Sequence, residues 1–312
     1  MKKLMFVAAA AAAGLCWGDV TSANTVGYAG SNLLENGSKS VGVNFIGING
    51  NPGSTMLSDL KVAGYTLAEE DGAAFEGSVV AMKLDDGGKT VEDPDTGMMI
   101  MWSWGDWYEV DENDDTKLVR KIGWQNDNGD FLGKENGEGV MVPDVPLAMG
   151  EGVWVNSDSS TWQIQCAGEV YNATVPIELL ANGSKFCANP CPANIGLSQT
   201  FIGNYTLPEE DGAAFEGSVV AMKLDDGGKT VEDPDTGMMI MWSWGDWYEV
   251  DENDETKLVR KIGWQNDNGD FIGKENGEDV LVPDVPLAIG EGVWVNSDSS
   301  TWQFVFPNVF DL

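Results

Sequence analysis

The amino-acid sequence predicts an all-β protein of two tandem modules, each a β-sandwich or open barrel with at most one short helix. Two repeats and one pattern predict it. Residues 67–163 recur as 207–303 at a constant offset of 140. Only six of 97 positions differ: Ala68/Pro208, Asp115/Glu255, Leu132/Ile272, Gly139/Asp279, Met141/Leu281 and Met149/Ile289. A looser repeat lies upstream, where NLLENGSK (32–39) returns as ELLANGSK (178–185), so the modules run over about 19–170 and 171–312. Within each copy, short apolar or alternating runs are separated by clusters of Gly, Asp, Asn and Pro, the signature of many short strands joined by turns.

Taken in order, STMLSDLKVAG (54–64) reads as the one short helix, with a Ser/Thr start and a Gly stop. SVVAMKL (78–84) is a strand stopped by the turn DDGG, and KTVED leads into a second turn, PDTG. MMIMWSW (98–104) is a continuous apolar run, as expected of a strand covered on both faces, so Trp102 and Trp104 belong to the core. Gly105-Asp106 is expected to break it. TKLVRKIGW (116–124) alternates Leu118 and Ile122 with Lys117 and Lys121, as on a half-exposed strand. NDNGD (126–130) is a turn, and GVWVN (152–156) and STWQIQC (160–166) are the closing strands.

The N-terminus, MKKLMFVAAAAAAGLCWGDV, reads as a signal peptide over residues 1–18: two lysines, an apolar stretch and small residues before a cut ahead of Asp19. The apolar stretch is shorter than the ~20 residues of a membrane span. The expectation is an exported protein, secreted or at the cell surface, without membrane insertion. The whole chain carries 17 basic and 51 acidic residues, net −34. Such acidity repels nucleic acid and anionic lipid, and opposes self-association unless salt or divalent ions screen it.

SANTVGY (22–28), GVNFIG (42–47), PLAMGEGVWV and CAGEV (166–170) together resemble a class of exported bacterial tandem β-modules, whose pattern runs from TVGY through GWNLIG and aGxGFW to GEV. The resemblance covers nearly all of the first module. The second keeps PLAIGEGVWV but carries KFCANPCP in place of the early strand and ends WQFVFPNVFDL. The resemblance implies export and a β-fold, and no particular chemistry.

The chain contains no histidine, which excludes Ser-His-Asp and Cys-His catalysis and histidine metal sites. It has no P-loop and no Rossmann fingerprint. A substrate domain beside a catalytic domain is incompatible with two near-identical halves, so no enzyme is expected. Calcium is the one cofactor the composition suggests, since it takes oxygen ligands from acidic turns. The candidate ligands are Asp93, Asp95, Asp111, Asn113 and Asp115, and in the second copy Asp233, Asp235, Asp251 and Asn253. Aromatics beside acids, Trp107, Tyr108 and Trp124 with Trp247, Tyr248 and Trp264, are candidates for stacking on sugar rings. Cys166, Cys187 and Cys191 cluster at the junction of the halves. In an oxidising compartment a bridge from Cys166 to Cys187 or Cys191 is expected, leaving one thiol over. The functional expectation is a non-enzymatic structural or surface-associated protein that assembles with itself or with the cell envelope. The alternative is a carbohydrate-binding or adhesive pair of modules, calcium-dependent or not.

Overall fold

A computed structural model describes residues 26–35, 38–42, 45–46, 55–84, 91–92, 97–158, 160–170, 173–223, 231–232, 237–276, 280–298 and 300–308. The stretch read as a signal peptide, and the segments DDGG and PDT read as turns, lie outside these. The first module contributes β1 (Val26–Leu33), β2 (Ser38–Gly42), β3 (Phe45–Ile46), β4 (Thr55–Met56), β5 (Lys61–Ala63) and β6 (Val79–Met82). It continues with β7 (Trp102–Asp111), β8 (Asp114–Gln125), β9 (Pro146–Leu147), β10 (Gly152–Ser157) and β11 (Trp162–Val170). The second module repeats the series as β12 (Val175–Leu179), β13 (Ser184–Ala188), β14 (Ile195–Gly196), β15 (Phe201–Gly203), β16 (Val219–Met222) and β17 (Trp242–Asp251). It ends with β18 (Asp254–Gln265), β19 (Glu275–Asn276), β20 (Val280–Leu281), β21 (Pro286–Leu287), β22 (Gly292–Ser297) and β23 (Trp302–Phe306).

The fold is all-β, as the periodicity predicts. In the first module a five-stranded antiparallel sheet runs β2-β10-β6-β7-β8, and β11 collects β1, β3 and β5 into a second sheet. The second module repeats the five-stranded sheet as β13-β22-β16-β17-β18, with β12-β23-β15 as its partner. Alternate residues of the two sheets meet in one core per module. In the first module Val79, Ala81, Trp102, Trp104, Val153 and Val155 come from the large sheet; Val62, Trp162, Ile164 and Cys166 come from the other.

Three expectations about elements are overturned. No helix forms over 54–64. Thr55–Met56 and Lys61–Ala63 are strands, and only Leu57–Asp59 makes a single 3₁₀ turn, closed by the Leu60 N–H donating to the Leu57 carbonyl at 3.0 Å. The apolar run 98–104 is not covered on both faces: Trp102 and Trp104 are buried, but Met98, Met99 and Met101 are exposed by 69%, 38% and 40%. Nor does Gly105-Asp106 break the chain, because β7 runs through both to Asp111. A Cβ on Gly105 would stand 2.4 Å from Gln125 Oε1 and 2.9 Å from the Trp107 ring, so glycine here makes room for neighbouring side chains within a strand.

The two modules pack reciprocally. Val41 bridges Glu291, and Cys187 bridges Glu151. Within their own modules Val41 pairs with Val153 and Cys187 with Val293, so Val41 and Cys187 are structural equivalents, as are Glu151 and Glu291. Likewise Met149 packs on the core of the second module and Ile289, its counterpart, on the core of the first. A contact in which residue i meets j and j's equivalent meets i's is isologous, here about a pseudo-twofold axis within one chain. Phe186 departs from the symmetry. Phe186 lies between Trp154 of the first module and Trp294 of its own, at centroid distances of 5.4 and 6.0 Å. The position equivalent to Phe186 is Ser40, opposite Trp154 in the register. Gly150 sits at this seam with φ +79°, and a Cβ there would meet Ile177 Cδ1 at 2.9 Å.

Candidate functional site

The long hairpin β7–β8, repeated as β17–β18, carries most of the residues singled out above. Strand pairing sets Asp106 opposite Ile122 and Tyr108 opposite Arg120. Asp106 is a carboxylate with no side-chain exposure, an arrangement that costs several kcal/mol unless the charge is paired and hydrogen-bonded. Both conditions are met. Arg120 donates Nε–H to Asp106 Oδ1 at 2.8 Å and Nη2–H to Oδ2 at 2.6 Å, and Tyr65 donates its hydroxyl to Oδ2 at 2.6 Å. The Trp104 indole N–H then donates to the Tyr65 oxygen at 2.9 Å. Trp244, Tyr205, Asp246 and Arg260 repeat the network in the second module. These are the only two arginines of the chain. Their use against a buried carboxylate, where a planar bidentate donor outperforms lysine, was available as a signal in GDW and LVRKIGW.

Burial, reinforced by donation to Asp106, holds the Tyr65 hydroxyl well above the ordinary tyrosine range, and Tyr205 behaves alike. An unfolded tyrosine ionises near pH ~10. Because the folded value is the higher, the stabilisation is complete below pH ~10 and is lost as pH rises through the folded value. Of the six tyrosines, Tyr65 and Tyr205 are therefore expected to ionise last and together with alkaline unfolding, read by absorbance at 295 nm beside far-ultraviolet circular dichroism. Complete ionisation of all tyrosines in a still-folded chain contradicts this network.

The aromatic candidates separate into two groups. Trp124 and Trp264 are fully buried, which removes them from any surface that stacks on a ligand. Trp124 donates its indole N–H to the Leu60 carbonyl and Trp264 to Thr200 Oγ1, both at 2.9 Å, and each sets its ring edge-on to Trp104 or Trp244 at 5.4 Å. Trp107 and Tyr108 are half-buried and successive in β7, so their side chains leave opposite faces of the sheet and do not form one flat platform. Trp107 packs on Phe131 at 5.1 Å and donates its indole N–H to Glu109 Oε2 at 3.0 Å. Tyr108 lies beneath the Arg120 guanidinium, 5.6 Å from its ring centre. Lys121, then the Trp107 indole, hold the Glu109 carboxyl below the ordinary range. Trp247 and Tyr248 reproduce these contacts with Phe271, Glu249 and Arg260.

Of the calcium candidates, Asp93, Asp95, Asp233 and Asp235 lie outside the described residues. Asp111 and Asn113 form a local turn at the hairpin tip, with the Asn113 N–H donating to Asp111 Oδ1 at 2.9 Å and Lys117 pairing with Oδ2 at 3.3 Å. Asp251, Asn253 and Lys257 repeat it. Asp115 is exposed in the adjoining strand. Among the described residues no three acidic or cysteine side chains are brought together to hold an ion.

The expected disulfide is absent: neither Cys187 nor Cys191 is joined to Cys166 or to the other. Burial explains why the thiols persist. It pushes Cys187 far above the ordinary thiol range and Cys191 to about 11, so the nucleophilic thiolate is suppressed.

Each module also has a cleft that the sequence did not reveal. In the first it measures about 720 Å³, lined by the apolar Ile100, Trp102, Leu132, Val142 and Val145 together with Asn126, Asp127, Asn128 and Lys83. The second module holds its equivalent of about 590 Å³. Lys83 is fixed in place, donating to the Pro146 carbonyl at 2.7 Å and pairing with Glu151 at 3.2 Å. Among the described residues no helix is long and apolar enough to cross a membrane. The fold thus defines a tandem all-β module protein. Compared with family models, curated proteins and solved structures, the chain matches none.

Proposed function

We propose that the chain is an exported, non-enzymatic structural protein that works as a symmetric building block and assembles with copies of itself. The observation that supports this reading is the reciprocal packing of two near-identical modules, in which a self-complementary surface holds Val41 to Glu291 and Cys187 to Glu151. Every other surface of the repeated region is thereby displayed twice, about one axis, which suits a bivalent unit. The polar network of Asp106 with Arg120 and Tyr65 has its carboxylate sealed from solvent and serves the hairpin rather than a substrate. A net charge of −34 makes assembly sensitive to ionic strength, since the repulsion between copies is screened within ~10 Å at 0.1 M salt.

Light scattering on the purified chain across salt, calcium and protein concentration tests the reading. The expected result is a mass above that of the monomer that grows with salt and with concentration. A monomer under every condition overturns it. Growth only with calcium, and not with equal ionic strength of a monovalent salt, transfers the weight to a calcium-bridged assembly.

A further inference from the structure

Both surfaces of the reciprocal seam are present on every copy of the chain, and the seam's two bridges are equivalent. We propose that two chains exchange modules across it, the first module of each pairing with the second module of the other, so that the assembly partner is a second copy held by two repeats of the contact seen within one chain. This rests on the building-block reading and specifies how the block joins. Three observations carry it. The backbone bridges at Val41–Glu291 and Glu151–Cys187 are equivalent under the pseudo-twofold. The apolar insertions are equivalent too, Met149 into one core and Ile289 into the other. One asymmetric element decides which modules pair. Phe186 fills the space between Trp154 and Trp294, and only the second module carries it. Two first modules supply no ring for that space, the residue opposite Trp154 in the register being Ser40, and two second modules bring two phenylalanines to it. First-with-second is the combination that reproduces the seam, and exchange between two chains satisfies it twice and closes.

Within one chain the tether gives each module an effective concentration of the other of about millimolar, so exchange competes at high protein concentration or during folding. A native cysteine makes this measurable. Cys187 faces Glu151 across the seam, and the Ala188 N–H donating to the Gly150 carbonyl at 2.8 Å identifies the close, non-hydrogen-bonded type of antiparallel pair. Such pairs stand ~4.5 Å apart at Cα, within reach of a disulfide.

The full chain bearing Glu151→Cys is unfolded, refolded at a series of protein concentrations in a thiol–disulfide buffer, so that Cys187 reacts before burial suppresses its thiolate, and separated on a non-reducing gel, with light scattering alongside. At low concentration the expected product is an internally linked monomer. Each tenfold rise in concentration should raise the ratio of linked dimer to linked monomer about tenfold while monomer predominates. The pair Val41→Cys with Glu291→Cys reads the reciprocal point, in case loss of Glu151 disturbs Lys83. Internal links alone at every concentration, with scattering still showing assembly, overturn module exchange and leave the building-block reading standing. Internal links alone with a monomer throughout overturn both.

Discussion

Replacing Asp106 with alanine should destabilise the first module by about 3 kcal/mol, the low end for breaking one side of a buried ion pair. The low end applies because Arg120 is 42% exposed and can turn to water once released, whereas the carboxylate itself has no exposure. Tyr65, which is only partly buried, also loses its acceptor, adding about 1 kcal/mol. Urea unfolding followed by tryptophan fluorescence measures the loss, and Asp246→Ala should reproduce it in the second module. A change of about 0.5 kcal/mol or less, the worth of an exposed surface pair, contradicts the sealed network.

The second large effect lies at Trp124. Truncation to alanine should cost about 3–5 kcal/mol, the range for removing a fully buried aromatic side chain. The void would open against Trp104, whose ring now meets Trp124 edge-on, and the Leu60 carbonyl would lose its donor. Trp124→Phe retains most of the volume and removes the hydrogen bond, so a loss nearer 1 kcal/mol is expected of it. The same denaturation experiment decides between them. Equal losses for the two variants would mean that the hydrogen bond, rather than packing, dominates at this site. Because Met149 and Ile289 cross between the cores, softening one module should also lower the unfolding midpoint of the other.

Strand content was legible because period-two alternation and turn residues are local signals. SVVAMKL, TKLVRKIGW and GVWVN all fall on β6, β8 and β10 within a few residues. The failures share a cause: they depend on partners distant in the chain. The helix expected over 54–64 rested on end signals, but Thr55 pairs with Leu147 and Val62 with Ile164, and those ladders override local preference. Gly105-Asp106 looks like a turn until Arg120 and Tyr65, 14 and 41 residues from Asp106, supply its partners. Trp124 was grouped with surface aromatics because nothing near it in sequence announces the Leu60 carbonyl, 64 residues back, that receives its indole. The cleft was invisible for the same reason, since it gathers segments from 83 to 146. The disulfide was expected from the compartment that the N-terminus suggests, and the burial of Cys166, Cys187 and Cys191 was not visible in the sequence.

The strands β10 and β22 are identical, GVWVNS in both, yet each must find its own neighbour: Ser38–Gly42 for the first and Ser184–Ala188 for the second. A nascent chain with two interchangeable central strands faces a sorting problem, since either could nucleate either sheet. The neighbours differ where it counts. SKSVG and SKFCA diverge from their third residue onward, and only the second offers a ring to the tryptophan opposite it. The segments that have drifted apart between the copies thus act as address labels. Homogenising them would remove what tells the two central strands' neighbours apart, and would also alter the seam that Phe186 fills between Trp154 and Trp294.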